Sequence, residues 1–296
     1  MNADLAASPP AALWALRLLT VALAVVMALA IGAATRGAPA GASTVATIAW
    51  GVTIAVLVVA LVAPSPLGLT LLRMILPVAV PAAALALVFG AGPTRGITAL
   101  ALAVLAALVA LSAELGEAMV QGSAYGDERR LPLRPPAAVL LPMGLSWLVW
   151  AAGVLGAVLL LCERRWWFGA VVALLAALLG RPLFLRFHRF SRRWLVLVPA
   201  GLVLHDHVIL GETLMVQRTN VAQARLAPAD TQAADFTGPA AGHAIEVAVR
   251  EMVLAVMAGT AAAPKGAALH VQSLLVAPSR PGRALRAIAD LHVAVG

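Results

Sequence analysis

Charged residues are scarce in this sequence, and their scarcity sets the class of protein. Only 11% of the 296 residues are charged and 62% are hydrophobic, whereas an ordinary soluble domain carries roughly 25% charged residues. A globular core does not account for so large a deficit. The composition therefore excludes a wholly soluble domain and indicates a membrane protein.

Cysteine and catalytic motifs are nearly absent as well. Cys162 is the only cysteine, so neither an intrachain disulfide nor a cysteine-based metal site is possible. The sequence has no His-Glu-x-x-His, no Gly-x-Ser-x-Gly, no phosphate loop and no paired intramembrane aspartates. We therefore expect no catalytic residue, no metal and no cofactor, and we expect that the protein is not an enzyme.

Long apolar runs are what the sequence has in abundance. Six runs come close to or exceed the about 20 residues that a helix needs to cross a bilayer. They cover residues 12–32, 44–63, 71–90, 97–115, 137–161 and 166–186. The first run is too long for the apolar part of a signal peptide, and five more follow, so we interpret it as a retained span. The pattern predicts about six transmembrane helices over residues 1–190.

None of the six runs has an ionisable residue near its middle. The ionisable residues in or beside the runs lie within a few residues of an end, where a long side chain reaches water. They are Arg17, Arg73, Glu114 and Arg181. A charge deep in a span would mark an ion or proton path. The sequence therefore argues against a proton-coupled transporter.

The distribution of arginine predicts the orientation of the spans. An even number of spans places both termini on one side of the membrane, and that side carries nine arginines against four on the other. The nine are Arg73, Arg129, Arg130, Arg134, Arg181, Arg186, Arg189, Arg192 and Arg193, and the four are Arg36, Arg95, Arg164 and Arg165. Because arginine is enriched on the cytoplasmic side, we expect both termini in the cytoplasm.

The densest group of positive charge follows the sixth run. We call it the arginine cluster, and it consists of Arg181, Arg186, Arg189, Arg192 and Arg193. Its charge pins the last span in its orientation. The alternative is a specific contact with anionic lipid at the membrane surface, because the planar guanidinium holds a phosphate through two hydrogen bonds.

A second basic stretch lies between the fourth and fifth runs. The segment YGDERRLPLRPP, residues 125–136, is mixed in charge and rich in proline. A solvated linker accounts for it. The alternative is a docking segment in which Arg129, Arg130 and Arg134 pair with acids of the C-terminal domain or with lipid phosphates.

The tail, residues 191–296, has the character of a soluble domain. From Trp194 to Gly296 seven basic and seven acidic residues balance, which excludes a nucleic-acid binder, since such a protein carries its positive charge on the soluble domain. Stretches of period two such as HAIEVAVRE predict short strands, and SRPGRALRAIADLHV predicts an amphipathic helix. We expect a small antiparallel β-barrel or sandwich closed by that helix.

This order of strands and helix resembles the bacterial pleckstrin-homology-like fold. The resemblance rests on WLVLVPAGLVLHD, on GETLMVQRTNVAQARL and on the closing PGRALRAIADLHV, about a third of the chain. It implies a binding or scaffolding module, because the fold hosts many ligands. The six-span part, rich in Ala and Arg, resembles actinobacterial multi-pass membrane proteins, which implies a bacterial cell membrane.

Three smaller features each allow two interpretations. His205-Asp206-His207 is either a polar turn or part of a metal site, and no third ligand is evident. Trp147 and Trp150, one helical turn apart, either pack against a neighbouring helix or line a lipid or quinone groove. Pro77 and Pro81 either kink the third span or open a break that lines a substrate path.

Two functions from different classes fit these features. The first is a membrane-anchored adaptor whose cytoplasmic pleckstrin-homology-like domain binds a protein partner or anionic lipid at the inner face of the membrane. The alternative is a transport or lipid-handling factor for an apolar component of the cell envelope. Both functions would have membrane lipids as partners, and the adaptor would also have a protein partner. We expect no nucleic-acid partner, and the sequence leaves the oligomeric state open.

The predicted topology has a direct test in reporter fusions placed after residues 40, 125 and 296. Because arginine favours the cytoplasmic side nine to four, the fusions after 125 and 296 should report a cytoplasmic location and the fusion after 40 an extracytoplasmic one. An extracytoplasmic signal from the fusion after residue 296 contradicts the topology.

Overall fold

A computed structural model of the chain describes residues 10–259 and 266–296. It folds into two compact units. The helical unit runs to Met119 and resumes over Gly144–Phe187, and the sheet unit contains Val120–Met143 and His188–Gly296. The predicted cytoplasmic position of the first nine residues concerns a segment outside the described ranges.

Within the described residues, eight helices precede the first long stretch of strands. They are α1 Ala11–Ala34, α2 Ala42–Val62, α3 Pro66–Ile75, α4 Ala79–Val88, α5 Pro93–Leu111, α6 Ala113–Gln121, α7 Ala137–Cys162 and α8 Trp166–Ser191. A 3₁₀ turn at Leu76–Val78 joins α3 to α4. This turn contains Pro77, whose ring removes a helical hydrogen bond, so the proline interrupts the helix as its position in the run suggested.

Six of these helical segments are long and apolar enough to cross a membrane, counting Pro66–Val88 as one. The prediction of six long apolar helices is therefore confirmed. The bounds differ most at the fourth run, because α5 ends at Leu111 and a separate short helix, α6, follows. The third span also begins earlier than expected, at Pro66.

The earlier start of the third span places Arg73 deeper than its sequence position suggested. Its guanidinium donates to the carbonyl oxygens of Ala110 at 3.2 Å and Ser112 at 3.1 Å, where α5 ends. The last carbonyls of a helix have no partner within it, so Arg73 caps α5. Gly116 leaves room for this, since a Cβ there would lie 2.8 Å from the Arg73 Nη2.

Small residues bring the helices of the helical unit together. Ala99, Ala103 and Ala106 of α5 are fully buried, as are Leu16 and Leu23 of α1, while larger residues such as Val and Leu predominate among the exposed ones. Lipid tails are as apolar as leucine, so spans associate by close packing and not by exclusion from water. The alanines allow that close approach.

The described part of the sheet unit contains two four-stranded sheets, the closing helix and short end parts of α6, α7 and α8. The first sheet has the order β1 Arg129–Pro132, β2 Trp194–Val198, β3 Gly201–His205 and β4 Leu214–Gln217, all antiparallel. The second has the order β5 Val221–Leu226, β7 Ile245–Met257, β8 Ala267–Val276 and β6 Ala234–Asp235. The closing helix, α9, spans Pro281–Ala289.

The strands do not form the closed barrel that was one of the expected alternatives. Within the described residues they make two separate sheets, and the second is mixed because β6 pairs with β8 in parallel. Alternation of period two predicts strands but does not specify which strands pair. Both sheets nevertheless share one core, to which α9 contributes Ala284 and Ile288.

The hairpin between β2 and β3 requires a glycine at its second strand. Val198 and Gly201 are partners across the hairpin, and Gly201 has φ +155°. A Cβ at this position would fall on the carbonyl oxygen of Val216, in the neighbouring strand β4. Gly201 therefore lets β3 approach β4 closely enough to pair.

Strand β1 comes from the segment between the fourth and fifth spans. Arg130 lies opposite Val196 and Leu131 opposite Leu195, so the segment forms the edge of the first sheet. Leu131 and Leu133 are only 3% and 5% exposed and belong to the shared core. The predicted boundary at residue 191 left this segment outside the tail domain. Within the predicted linker, residues 125–136, Arg129–Pro132 form a strand of the sheet unit.

If β1 is a structural part of the sheet unit, truncating its core side chain lowers stability. Leu131→Ala should reduce the free energy of unfolding by about 2–5 kcal/mol, as for other buried leucines. The matched control is Leu226→Ala, because Leu226 is a strand residue that is 49% exposed. Pulse proteolysis of the full-length protein across a urea series in mild detergent measures both, and equal midpoints would contradict the role of β1.

Candidate functional site

Arg193, the last member of the arginine cluster, is buried in the sheet unit. Its side chain is 1% exposed and that of Asp206 is fully buried. The guanidinium donates from Nε to both carboxylate oxygens at 2.9 Å and from Nη2 to Oδ2 at 2.7 Å. This is a bidentate ion pair shielded from solvent.

The remaining donors of Arg193 reach two further segments of the sheet unit. Nη1 donates to the Arg134 carbonyl at 2.8 Å, and Nη2 donates to the Thr237 carbonyl at 3.2 Å. Asp206 also accepts from the backbone N–H of Val208 at 3.0 Å. Because its hydrogen-bonding groups are directed to the protein, Arg193 has no surface to offer a lipid headgroup and stands apart from the rest of the cluster.

The other four arginines of the cluster are exposed. Arg181 and Arg186 lie on α8 in the helical unit, Arg189 lies on α8 in the sheet unit, and Arg192 follows the end of the helix. The 26 residues of α8 correspond to about 39 Å of helix, which exceeds the roughly 30 Å hydrocarbon core of a bilayer. If α8 spans the bilayer from Trp166, its final residues extend beyond the hydrocarbon, at the depth of the headgroups.

The three arginines of the predicted docking segment are engaged within the sheet unit. Arg129 pairs with Asp290 at 3.7 Å, next to α9, and Arg130 pairs with Glu128 at 2.6 Å. Arg130 also lies 5.3 Å from the ring centroid of Trp194. The guanidinium of Arg134 donates to the His243 carbonyl, and burial lowers its pKa. The contacts of these three arginines hold β1 and the residues that follow it against the rest of the sheet unit.

The histidines of His205-Asp206-His207 form an aromatic stack with Trp194. The rings of His205 and Trp194 lie 5.1 Å apart and nearly parallel, and His207 approaches His205 edge-on at 4.3 Å. Burial lowers the pKa of His205 from its ordinary value of 6.5, and the neighbouring His207, Arg192 and Arg130 lower it further against the opposing charge of Asp206. His205 is therefore neutral at neutral pH.

A metal ion at these histidines would need further ligands. Within residues 10–259 and 266–296, no three His, Cys, Asp or Glu side chains lie together as a metal-binding group. Asp206, between the two histidines, is committed to Arg193. The described geometry fits the polar-turn interpretation of this tripeptide.

The second candidate site is in the helical unit, beside α7. Trp147 of α7 donates from Nε1 to the Met74 carbonyl at 2.8 Å, and Cys162 at the end of α7 lies with Sγ 3.5 Å from the Ala42 carbonyl. Between these contacts lies a cavity of about 580 Å³. We call it the α7 cavity.

The walls of the α7 cavity are almost entirely hydrocarbon. One wall is the face of α7 that carries Trp150, Val154 and Val158, and the opposite wall is rich in alanine from the end of α1 and from α2 and α4. Gly180 of α8 leaves space for the Trp150 side chain, since a Cβ at residue 180 would lie 2.8 Å from the indole nitrogen. Small residues facing the part of α7 between Trp147 and Cys162 leave the space open.

No family model, curated protein or solved structure matches this chain. Its class is therefore defined by its own geometry, as a chain with six apolar helices long enough to span a membrane and a two-sheet unit.

Removing one partner of the buried pair should destabilise the sheet unit. Arg193→Gln leaves Asp206 as a buried, uncompensated charge, so we expect a loss of about 3–5 kcal/mol in the free energy of unfolding. Arg192→Gln, at the exposed neighbouring position, should change it by less than about 0.5 kcal/mol. Chemical denaturation of the detergent-solubilised protein compares the two, and an unchanged midpoint for Arg193→Gln would remove the pair from its structural role.

Proposed function

We propose that the protein is a membrane-anchored adaptor of a bacterial cell membrane, with both termini in the cytoplasm. The sheet unit binds a protein partner or anionic lipid at the inner face. The observation that supports this most is the division of the arginine cluster. Arg193 is used inside the sheet unit, whereas Arg181, Arg186, Arg189 and Arg192 remain exposed around the end of α8.

The exposed arginines suit contact with an anionic headgroup. Each juxtamembrane arginine contributes on the order of 1 kcal/mol near an anionic surface. From Trp194 onward basic and acidic residues balance at seven each, so the tail itself supplies no general attraction. The arginines around the end of α8 would thus fix where the surface contact occurs.

A protein partner would find an apolar surface on the long hairpin of the second sheet. Met252 and Leu254 of β7 lie two residues apart and are 62% and 52% exposed. Methionine is a flexible side chain that adapts to different surfaces. A strand that presents these two residues to solvent supports a role in binding.

Transport or lipid handling is the second candidate, and the α7 cavity favours it. Ligand cavities commonly enclose about 300–1,000 Å³, and 580 Å³ of apolar space lies within that range. An adaptor needs no such space in its anchor. The two candidates are compatible, because they place binding in different units of the chain.

The adaptor proposal predicts an effect of the exposed arginines on lipid contact. The triple variant Arg186→Gln, Arg189→Gln and Arg192→Gln keeps Arg193 and should lose up to roughly 3 kcal/mol of attraction to an anionic surface. The protein should stay in the membrane, since insertion of six spans dominates. Polymer-extracted discs from membranes of mixed phosphatidylglycerol and phosphatidylcholine should then retain less phosphatidylglycerol.

The control carries the same change of charge elsewhere. Arg218→Gln, Arg250→Gln and Arg286→Gln remove three exposed arginines of the sheet unit that are remote from α8 in the chain. This variant should retain phosphatidylglycerol as the unmodified protein does at low and moderate salt. If the unmodified protein and both triple variants retain the same amount of phosphatidylglycerol, the arginines around the end of α8 only set the orientation of the last span.

A further inference from the structure

We propose that the α7 cavity binds one hydrocarbon chain of a membrane lipid, with the lipid headgroup at the end formed by Thr35 and Glu163. The inference deepens the lipid-handling candidate and rests on it for the class of ligand. It does not depend on the adaptor proposal, because the cavity belongs to the helical unit alone.

The length of the cavity matches a lipid chain. On α7 its lining extends from Trp150 to Glu163, which is about 20 Å of helix. On α2 it extends from Ala42 to Val56, about the same length. One leaflet contributes half of the roughly 30 Å hydrocarbon core, or about 15 Å. The cavity is therefore deep enough for a full chain of one leaflet.

The volume of the cavity suits a single chain. A volume of 580 Å³ spread over about 20 Å of helix gives a mean cross-section of about 29 Å². A single unbranched or lightly branched chain fits this space.

The chemistry of the walls selects hydrocarbon over water. Ala46, Ala49 and Ala82 face Val154 and Val158, and none of these side chains has a hydrogen-bonding group. Water enters a cavity only where two or more polar partners can hold it, whereas apolar cavities stay dry and accept apolar ligands. In a bilayer the nearest apolar ligand is a lipid chain.

The polar residues of the lining lie mainly at one end of the cavity. Thr35 follows α1 and Glu163 follows α7, and both line the cavity together with Ala38 and Pro39 of the α1–α2 connection. The Thr35 hydroxyl donates to the Ile31 carbonyl at 2.8 Å, and Glu163 pairs with Arg165 at 3.3 Å. Polar and charged groups at this end fit a headgroup at the membrane surface.

Photocrosslinking maps the occupant directly. The full-length protein is placed in nanodiscs that contain phosphatidylcholine with a diazirine in one acyl chain, and in a second arm a diazirine fatty acid. After illumination, peptide mass spectrometry should locate adducts on cavity-lining Val154 and Val158 as well as on outward-facing Leu148 and Val149. The two arms separate a phospholipid from a free fatty acid as the source of the chain.

Filling the cavity should remove the inner adducts and leave the outer ones. The double variant Ala46→Phe and Ala82→Phe places two rings in the cavity from α2 and α4. Adducts at Val154 and Val158 should fall by about tenfold or more, because loss of burial for only two methylene groups already weakens binding about tenfold. Ala101→Phe, on the exposed face of α5, is the matched control and should change neither set.

The outcomes separate this inference from the function on which it rests. Adducts confined to Leu148 and Val149 in the unmodified protein overturn chain binding, whether or not the filled variant folds. Adducts at Val154 and Val158 that survive filling also overturn it. Inner adducts that disappear on filling, with no movement of a fluorescent phospholipid between leaflets of reconstituted vesicles, support the site and reject lipid movement as its purpose.

Discussion

The buried ion pair between Arg193 and Asp206 is the interaction on which the sheet unit depends. The guanidinium of Arg193 contacts three segments: the Asp206 carboxylate, which follows β3 in the chain, the Arg134 carbonyl, which follows β1, and the Thr237 carbonyl, which follows β6. A desolvated charge is tolerated only when it is paired and its other donors are satisfied. Arg193 lies two residues after the end of α8. The sixth apolar helix is therefore followed closely in the chain by the residue that joins three segments of the sheet unit.

Sequence patterns predicted the helices much better than the assembly of the sheets. Every backbone group within a bilayer must be satisfied inside its own segment, so a long apolar run has few alternatives to a helix. Strand β1 is different, because Arg129–Pro132 is short and pairs with a strand that lies beyond two spans in the chain. The partner of Arg193 was within reach, since the β2–β3 hairpin places Trp194 opposite His205 and brings the next residues, Arg193 and Asp206, together.

The two candidate sites, the exposed arginines and the α7 cavity, could be predicted from the sequence to different degrees. The exposed arginines could be found by counting charge, although nothing in the count distinguished Arg193 from its neighbours. Trp147 and Trp150 suggested either packing or a lipid or quinone groove. Trp147 makes a packing contact through its hydrogen bond to the Met74 carbonyl, and Trp150 lines the α7 cavity. Helical periodicity shows which face of α7 is apolar but not how far the next helix lies, so the cavity itself could not be predicted.

The central claim is that the segment between the fourth and fifth spans completes the sheet unit. Cysteines at Arg130 and Val196, which are partners across β1 and β2, test it in a Cys162→Ala background, because neighbouring strands hold partners within the reach of a disulfide. The account predicts that Arg130→Cys/Val196→Cys crosslinks on mild oxidation in native membranes, whereas Arg130→Cys/Val203→Cys, one strand further away, does not. Failure of the first pair, or equal crosslinking of both, would contradict it.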